Sequence, residues 1–225
     1  MSKVRRTGSR RVKTPSGDVS VALDGPKDAP LLLFFACGAG GDMRSEFMSF
    51  ITDGLAGNGL RVCRFNFTYQ EKGRKSPDRQ ALLEDAYRAV VQIVQEDWDG
   101  PTALGGKSLG GRIASHVVAQ DLATDALVFF GYPLHPPGRP DRLRDEHLYA
   151  IDVPMLFVEG TRDPFCPLQT LEEVRGRLSA PSELAVIDDG DHSFKVRRSS
   201  GRSTQDAWGE VIDVASEWLR KAVQR

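Results

Sequence analysis

A serine between two glycines marks the stretch of this sequence best suited to chemistry. Gly106-Lys107-Ser108-Leu109-Gly110 is a G-x-S-x-G pattern, in which the serine sits on a sharp turn between a strand and a helix. Glycines there let the backbone take a strained turn and pack closely around the serine. Thr102–Leu104 predicts the strand before the turn, and Ile113 and Val117 predict the helix after it. Ser108 is therefore a candidate nucleophile.

A serine hydroxyl becomes a good nucleophile only beside a base, and a carboxylate usually orients that base. Asp163 follows the apolar strand predicted at Met155–Val158, and His192 follows the strand predicted at Glu183–Ile187. Functional groups gather at the carboxyl ends of strands in open α/β sheets, and the chain order Ser, Asp, His suits this turn. We therefore predict a triad of Ser108, Asp163 and His192.

Other residues compete for two of these roles. The rival carboxylates are Asp152, Asp188, Asp189 and Asp191. Asp163 is preferred because it alone lies just beyond a fully apolar strand with enough loop to fold inward. His116 falls inside the helix after the serine, and His135 and His147 precede the acid's strand, which breaks the chain order. Purely structural roles remain open for the triad: a serine in a tight turn, an aspartate that caps a helix and a histidine on the surface.

Acyl transfer also needs hydrogen-bond donors for the oxyanion that forms on the substrate. One predicted donor is the backbone N–H of Leu109, at the start of the helix, where the helix dipole helps. The second is the N–H of Ala39 in the glycine-rich loop Gly38–Gly41. Neither common phosphate-binding glycine pattern occurs in this loop. Cys37 is a less favoured alternative nucleophile, because it would compete with a complete serine site.

Strands and helices alternate along the chain and predict the fold class. Leu31–Ala36 and Ala126–Phe130 are uninterrupted apolar runs, as in strands buried on both faces of a parallel sheet. We therefore predict an α/β protein with a mostly parallel, doubly wound sheet in one domain over residues 1–225. Residues 1–14 are expected to form a frayed or edge-strand terminus. No insertion is long enough for a large lid.

Composition excludes several classes of function. The formal net charge is −1, which gives the molecule no electrostatic reason to bind nucleic acid or an anionic membrane. No apolar run approaches the roughly 20 residues of a membrane span. The three cysteines are widely spaced and suggest neither disulfides nor a metal site, so we expect no metal, no cofactor and a cytoplasmic location. A transit peptide at the basic start is a less favoured alternative.

The substrate pocket is predicted more loosely than the triad. Tyr132 and Leu134 follow an apolar strand and are expected to supply apolar contacts, with Arg44 and Lys107 among the cations at the mouth. The other cations expected there are Arg162, Lys195, Arg197 and Arg198. They could favour a negatively charged acyl or leaving group, but a solvated rim is the preferred explanation. A pocket without a lid favours small or medium esters and thioesters.

Four segments carry a resemblance to a known group: ACGAGGDM, GGKSLGGRIA, FVEGTRDPF and DDGDHSFK. Together they resemble the small lid-less α/β hydrolases, broadly the dienelactone-hydrolase-like group. More narrowly they resemble the branch shared with the hydrolase-like subunit of the NSL histone-acetyltransferase complex. The resemblance implies the α/β-hydrolase fold and the Ser108–Asp163–His192 triad. Many relatives have His where this chain has Cys37, and true dienelactone hydrolases use a cysteine where this chain has Ser108.

These observations define two hypotheses from different classes. The first is a carboxylesterase-like serine hydrolase (EC 3.1) that cleaves a small-molecule carboxylic ester or thioester through an acyl-enzyme on Ser108. The alternative is a non-catalytic interaction module that keeps the α/β-hydrolase fold, since fold alone does not fix function. Peptidase or haloperoxidase-like activity on the same triad also stays open. The sequence carries no indication of oligomeric state.

Overall fold

A computed structural model describes residues 9–223 as one eight-stranded sheet with helices on both faces. The strands are β1 (Arg10–Val12), β2 (Val19–Asp24), β3 (Leu32–Ala36), β4 (Arg61–Phe65), β5 (Thr102–Lys107), β6 (Ala126–Phe130), β7 (Met155–Gly160) and β8 (Ser182–Ile187). The helices are α1 (Glu46–Gly57), α2 (Thr68–Glu71), α3 (Gln80–Gln95), α4 (Leu109–Ala119), α5 (Leu168–Arg175) and α6 (Thr204–Ala222). Two 3₁₀ turns cover Glu146–Ala150 and Arg198–Ser200.

The sheet is mostly parallel, which confirms the predicted fold class. Its strand order is β1-β2-β4-β3-β5-β6-β7-β8. β1 pairs antiparallel with β2 and β2 pairs antiparallel with β4 at one edge, and the remaining strand pairs are parallel. Of the basic start of the chain, residues 10–12 form the edge strand β1; residues 1–8 lie outside the described residues. Within the described part, no helix is long and apolar enough to cross a membrane.

Two apolar layers sandwich the central strands. All five residues of β3, β4 and β6 are buried. β3 and β6 are uninterrupted apolar runs, as expected for strands covered on both faces, whereas β4 includes Arg61 and Arg64. Helices α3, α4 and α5 pack on one face and α1 and α6 on the other. On α3 the buried stripe includes Leu83, Ala86, Val90 and Val94, whereas Leu82 is 37% exposed. The polar segment after β4 begins with the short helix α2.

The chain reverses its direction of winding between β3 and β5, which are neighbours in the sheet. From β3 the strand order first runs outward to β4, and from β5 it runs the opposite way to β8. In open α/β sheets such a reversal leaves a crevice at the carboxyl ends of the two strands. The Gly38–Gly41 loop follows β3 and Ser108 follows β5, so both lie at this crevice.

Candidate active site

Ser108 occupies a strained turn that the flanking glycines make possible. Its backbone φ is +51° and ψ is −113°, a conformation that is uncommon for a residue with a side chain. A Cβ on Gly106 would lie 2.5 Å from the Ala36 carbonyl oxygen, and one on Gly110 would lie 2.3 Å from the same atom. Only glycine leaves room for β3 at both positions. The close packing of these glycines against β3 thus maintains the strained backbone of Ser108 where strand β5 meets helix α4.

The structure brings together the three residues expected to form the triad. His192 Nε2 lies 2.8 Å from Ser108 Oγ, and His192 Nδ1 lies 2.6 Å from Asp163 Oδ2. The carboxylate can only accept, so Nδ1 carries the proton and Nε2 is free to accept the serine proton. The second Asp163 oxygen accepts the Phe165 N–H at 2.8 Å, which fixes the carboxylate. Serine, base and orienting acid thus form one continuous hydrogen-bonded chain.

The surroundings of His192 favour the neutral imidazole that a general base requires. Burial lowers the pKa of His192, and the positive charge of Lys107 lowers it further. The hydrogen bond to Asp163 opposes these effects and raises the pKa. The net direction is downward, so the ring is neutral at pH 7. Phe165 packs edge-on against the ring with 4.7 Å between centroids, which restricts its rotation.

The loop after β3 presents backbone N–H groups beside the serine. Neither Ala39 N–H nor Leu109 N–H donates a hydrogen bond within residues 9–223, and Leu109 begins helix α4. Gln70 Nε2 donates to the Gly38 carbonyl at 3.0 Å, and Tyr69 OH donates to the Ala39 carbonyl at 3.3 Å. These bonds hold the loop by its carbonyl oxygens. They leave N–H groups at the expected oxyanion position free to donate.

Cys37 takes part in the same support and is poorly suited to be a nucleophile. Its thiol donates to Gln70 Oε1 at 3.0 Å and to the Phe65 carbonyl at 3.3 Å. Burial raises the pKa of the Cys37 thiol to about 12, so the reactive thiolate is rare at neutral pH. Cys37 therefore anchors the loop from the position where many relatives have a histidine. No local sequence pattern indicates a role for Gln70 and Tyr69, because their polar segment resembles a surface loop.

A pocket of about 820 Å³ opens at the serine. Its apolar lining includes Phe47, Met48, Phe165 and Trp208. Its polar and charged lining includes Gln80, Lys107, Arg112, His135, Arg144 and Lys195. This volume lies in the range of small-molecule sites, which are concave and mostly apolar with a few polar groups.

The pocket differs from the sequence-based expectation at most positions. Tyr132 and Leu134 have no exposed surface and lie outside the lining, because both side chains are part of the core under the sheet. Arg44 is exposed and also lies outside the lining. Lys107 does line the pocket, but it is buried instead of lying at the mouth. Arg112 and Arg144 were missed, although Arg112 lies one helical turn after Ser108 and could have been found by that spacing.

Two buried ionisable groups near the triad, Lys107 and Glu159, each have a buried polar atom without a hydrogen-bond partner in the described part of the chain. These atoms are Lys107 Nζ and Glu159 Oε2. Lys107 Nζ lies 5.8 Å from the centre of the Phe194 ring and packs so closely on Gly131 that a Cβ there would be 2.8 Å away. Glu159 Oε1 accepts the backbone N–H of Tyr132 at 2.5 Å.

Burial shifts both groups toward their neutral forms. The pKa of Lys107 falls to about 8, chiefly by burial, although nearby carboxylates including Asp163 oppose the change. The pKa of Glu159 rises well above its usual value, first by burial and then by the negative charge of Asp163. A protonated Glu159 leaves Asp163 without a second carboxylate charge beside it. Among residues 9–223, no group of three or more His, Cys, Asp or Glu residues is placed to hold a metal ion.

Fold and site together define an α/β hydrolase. The chain belongs to the alpha/beta hydrolase domain family, whose model matches residues 29–220. This membership confirms the family resemblance inferred from the four sequence segments.

Solved structures of low sequence identity share the fold. A dienelactone hydrolase from Anabaena variabilis aligns with a TM-score of 0.79 at 20% identity over 98% of this chain and 99% of its own. A serine hydrolase without a lid from Xanthomonas campestris aligns with a TM-score of 0.73 at 22% identity over 94% of both chains. Est1E from Butyrivibrio proteoclasticus, with ferulic acid bound, aligns with a TM-score of 0.74 at 15% identity over 96% of this chain and 100% of its own.

Proposed function

We propose that this protein is a serine hydrolase that cleaves small or medium carboxylic esters or thioesters. The observation that carries the proposal is the pair of hydrogen bonds at His192, 2.8 Å to Ser108 Oγ and 2.6 Å to Asp163 Oδ2. Family membership and esterase-like structural relatives support a hydrolase. The bound ferulic acid of Est1E supports a small carboxylic acid derivative as substrate.

The reaction begins with attack of Ser108 Oγ on the ester carbonyl carbon. His192 Nε2 takes the serine proton, and Asp163 stabilises the imidazolium that forms. The carbonyl oxygen becomes an oxyanion and accepts hydrogen bonds from the N–H groups of Ala39 and Leu109. The tetrahedral intermediate then expels the alcohol or thiol, which takes its proton from His192.

Water completes the cycle. His192, now neutral, removes a proton from a water molecule that attacks the acyl group on Ser108. The second tetrahedral intermediate collapses, the carboxylic acid leaves, and Ser108 Oγ recovers its proton from His192. Each turnover consumes one ester and one water and releases one alcohol or thiol and one acid.

A fluorophosphonate probe tests the proposal because it labels only activated serines. We expect labelling of Ser108 in the wild-type protein and hydrolysis of 4-nitrophenyl acetate and butyrate. Ser108→Ala should abolish labelling and lower kcat by about 10⁴-fold or more. Ser179→Ala is the matched control, since Ser179 is exposed and makes no side-chain hydrogen bond to a described residue.

One experimental result would contradict the proposed hydrolase function. Folded wild-type protein that neither takes the label nor hydrolyses the esters would contradict the proposal. That result would favour the non-catalytic interaction module, which keeps the fold without the reaction.

A further inference from the structure

Two arginines line the pocket beside Ser108, and both are half-buried. Arg112 lies on α4 one turn after the serine, and its backbone N–H donates to the Ser108 carbonyl at 3.0 Å. Side chains four residues apart on a helix are neighbours, with about 5–6 Å between their Cβ atoms. Arg112 and Ser108 line the same pocket. Arg144 reaches the same pocket from the segment between β6 and β7.

Neither guanidinium is paired with a carboxylate in the part of the chain that the structure describes. Arg112 Nη1 contacts only neutral groups, Gln80 Oε1 at 3.1 Å and His116 Nε2 at 3.3 Å. Its Nε is buried and has no hydrogen-bond partner among residues 9–223. The Arg144 side chain makes no hydrogen bond within the same residues. Two adjacent cations thus retain unused donors.

The nearest carboxylates are engaged elsewhere. Glu84 accepts a hydrogen bond from Gln120 Nε2 at 3.1 Å. Asp145 pairs with Arg177 at 3.1 Å and accepts a hydrogen bond from Tyr149 OH at 2.6 Å. Neither forms an ion pair with the two pocket arginines. Burial lowers the pKa of Arg112 and the charge of Glu84 opposes that change, so the positive charge at this wall is only partly offset.

The acidic residues of the pocket lining do not neutralise it either. Asp78 pairs with Arg74 at 2.5 Å. Glu46 lines the pocket at the first turn of α1 and forms no ion pair with Arg112 or Arg144. The pocket wall formed by Arg112 and Arg144 is therefore suited to bind an anionic group of a ligand.

Two histidines that carry no charge at pH 7 lie beside Arg112. The rings of His116 and His147 stack with 3.6 Å between centroids. Burial, together with the charge of Arg112, lowers their pKa values to about 4 and about 3. Burial and the charge of Arg112 also lower the pKa of Arg144. An anion bound here would relieve the repulsion between the two guanidinium groups.

We propose that Arg112 and Arg144 bind a carboxylate of the substrate, so that the preferred esters carry a second, ionised carboxyl group near the scissile bond. This inference rests on the proposed hydrolase function. Guanidinium groups suit the role, since their planar fork of donors matches a carboxylate and forms paired charge-assisted hydrogen bonds. Arg112, Arg144 and Ser108 line one pocket, so the bound carboxylate and the reacting carbonyl occupy the same site.

Two esters with the same six-carbon acyl chain test the inference. Mono-4-nitrophenyl adipate carries a terminal carboxylate, and 4-nitrophenyl hexanoate does not. We expect kcat/KM for the adipate monoester to exceed that for the hexanoate by about tenfold or more. A second pair, 4-acetoxybenzoate and its methyl ester, places the charge on the alcohol side. A preference for the anionic member of either pair supports the inference. It also shows whether the arginines bind a carboxylate on the acyl side or on the alcohol side of the ester.

Variants assign the preference to the two arginines. Arg112→Met and Arg144→Met should each lower the ratio of anionic to neutral kcat/KM by about tenfold. Arg142→Met is the matched control, since Arg142 is exposed and lies outside the pocket lining; it should leave the ratio unchanged. Circular dichroism verifies that each variant is folded, and having two arginine variants keeps the test available if one fails to fold.

A binding measurement separates this inference from the proposed function. Ser108→Ala protein should bind monomethyl adipate in a calorimetric titration, and adding Arg112→Met or Arg144→Met should weaken that binding about tenfold. Binding of this kind supports the inference even if no ester is hydrolysed, a result that would overturn the proposed function alone. Equal kcat/KM within both ester pairs, or arginine variants that change neither the ratio nor the binding, would overturn the inference while leaving hydrolysis at Ser108 intact.

Discussion

Cys37 and Gln70 are joined by a hydrogen bond of 3.0 Å, in which the thiol donates to the side-chain amide oxygen. The same oxygen accepts the Phe67 N–H at 2.7 Å, and the amide nitrogen donates to the Gly38 carbonyl at 3.0 Å. One amide thus connects the end of β3, the start of α2 and the loop that carries Ala39. The position of the predicted oxyanion donors depends on this side chain.

Gln70→Leu should therefore impair catalysis more than substrate binding. The variant keeps the volume of the side chain but leaves the Phe67 N–H and the loop carbonyl without their partner. We expect kcat for 4-nitrophenyl butyrate to fall about 10²-fold, as when an oxyanion donor is lost, with a smaller change in KM. The free energy of unfolding in urea should fall by about 1–3 kcal/mol.

Gln92→Leu is the control for this substitution, because Gln92 lies exposed on α3 and makes no side-chain hydrogen bond to a described residue. It should leave both quantities unchanged. An unaltered kcat in Gln70→Leu would show that the loop is held by other contacts.

The three thiols should be unreactive in the native protein. Cys37, Cys63 and Cys166 are all buried and free. Burial raises the pKa of each, that of Cys37 to about 12. The thiolate that reacts with disulfide reagents is therefore scarce at pH 8. We expect 5,5′-dithiobis(2-nitrobenzoate) to detect no thiols in native protein and three after denaturation. Rapid loss of esterase activity on native modification would instead indicate a functional cysteine.

The triad is predictable from the sequence because it depends on features that the chain order preserves. Strands end where apolar runs end, and parallel strands bring those ends together. Ser108, Asp163 and His192 each follow such a run. The structure places all three within hydrogen-bond distance.

The pocket wall is less predictable, because it depends on which way a side chain points. Tyr132 follows β6 as expected, yet its side chain turns into the core, where its OH donates to the Arg144 carbonyl at 3.1 Å. Gln70 supports the loop through contacts between segments distant in sequence, which no local pattern encodes. The fold and the grouping of Ser108, Asp163 and His192 can therefore be predicted from the sequence. The residues that hold and line the site become apparent only from contacts in the folded structure.

Lys107 should set the acid limb of the pH profile. His192 must be neutral to accept the serine proton, so activity falls as the pH drops through its pKa. Burial and the Lys107 charge lower that pKa from the ordinary value of 6.5, so half-maximal kcat/KM should lie below pH 6.5. Lys107→Met removes the charge, raises the pKa of His192 and should move the limb to higher pH.

The control for this shift is Lys27→Met, since Lys27 is exposed between β2 and β3. Its pH profile should match that of the wild type. A merely structural role for Lys107 would lower activity at every pH without moving the limb, and a limb that moves to lower pH would contradict the electrostatic argument.

Glu159→Gln should stabilise the protein increasingly as the pH rises. The folded pKa of Glu159 lies well above its usual value of 4.5, first because of burial and then because of Asp163. Above pH 4.5 the unfolded chain releases this proton while the folded protein retains it, so the free energy of unfolding of the wild type falls until the folded pKa is reached. Within that window, each unit of pH lowers the free energy of unfolding of the wild type by about 1.4 kcal/mol. Glutamine keeps a neutral oxygen for the Tyr132 N–H but does not titrate.

The measurement is urea unfolding of both proteins at pH 5 and pH 7.5. The difference in free energy of unfolding, variant minus wild type, should grow by more than about 1 kcal/mol between the two values. Glu159→Leu separates charge from hydrogen bonding, since it also removes the titration but leaves the buried Tyr132 N–H unpaired. It should show the same pH trend from a starting point about 1–3 kcal/mol lower, and a difference independent of pH would mean that Glu159 is ionised in the folded protein.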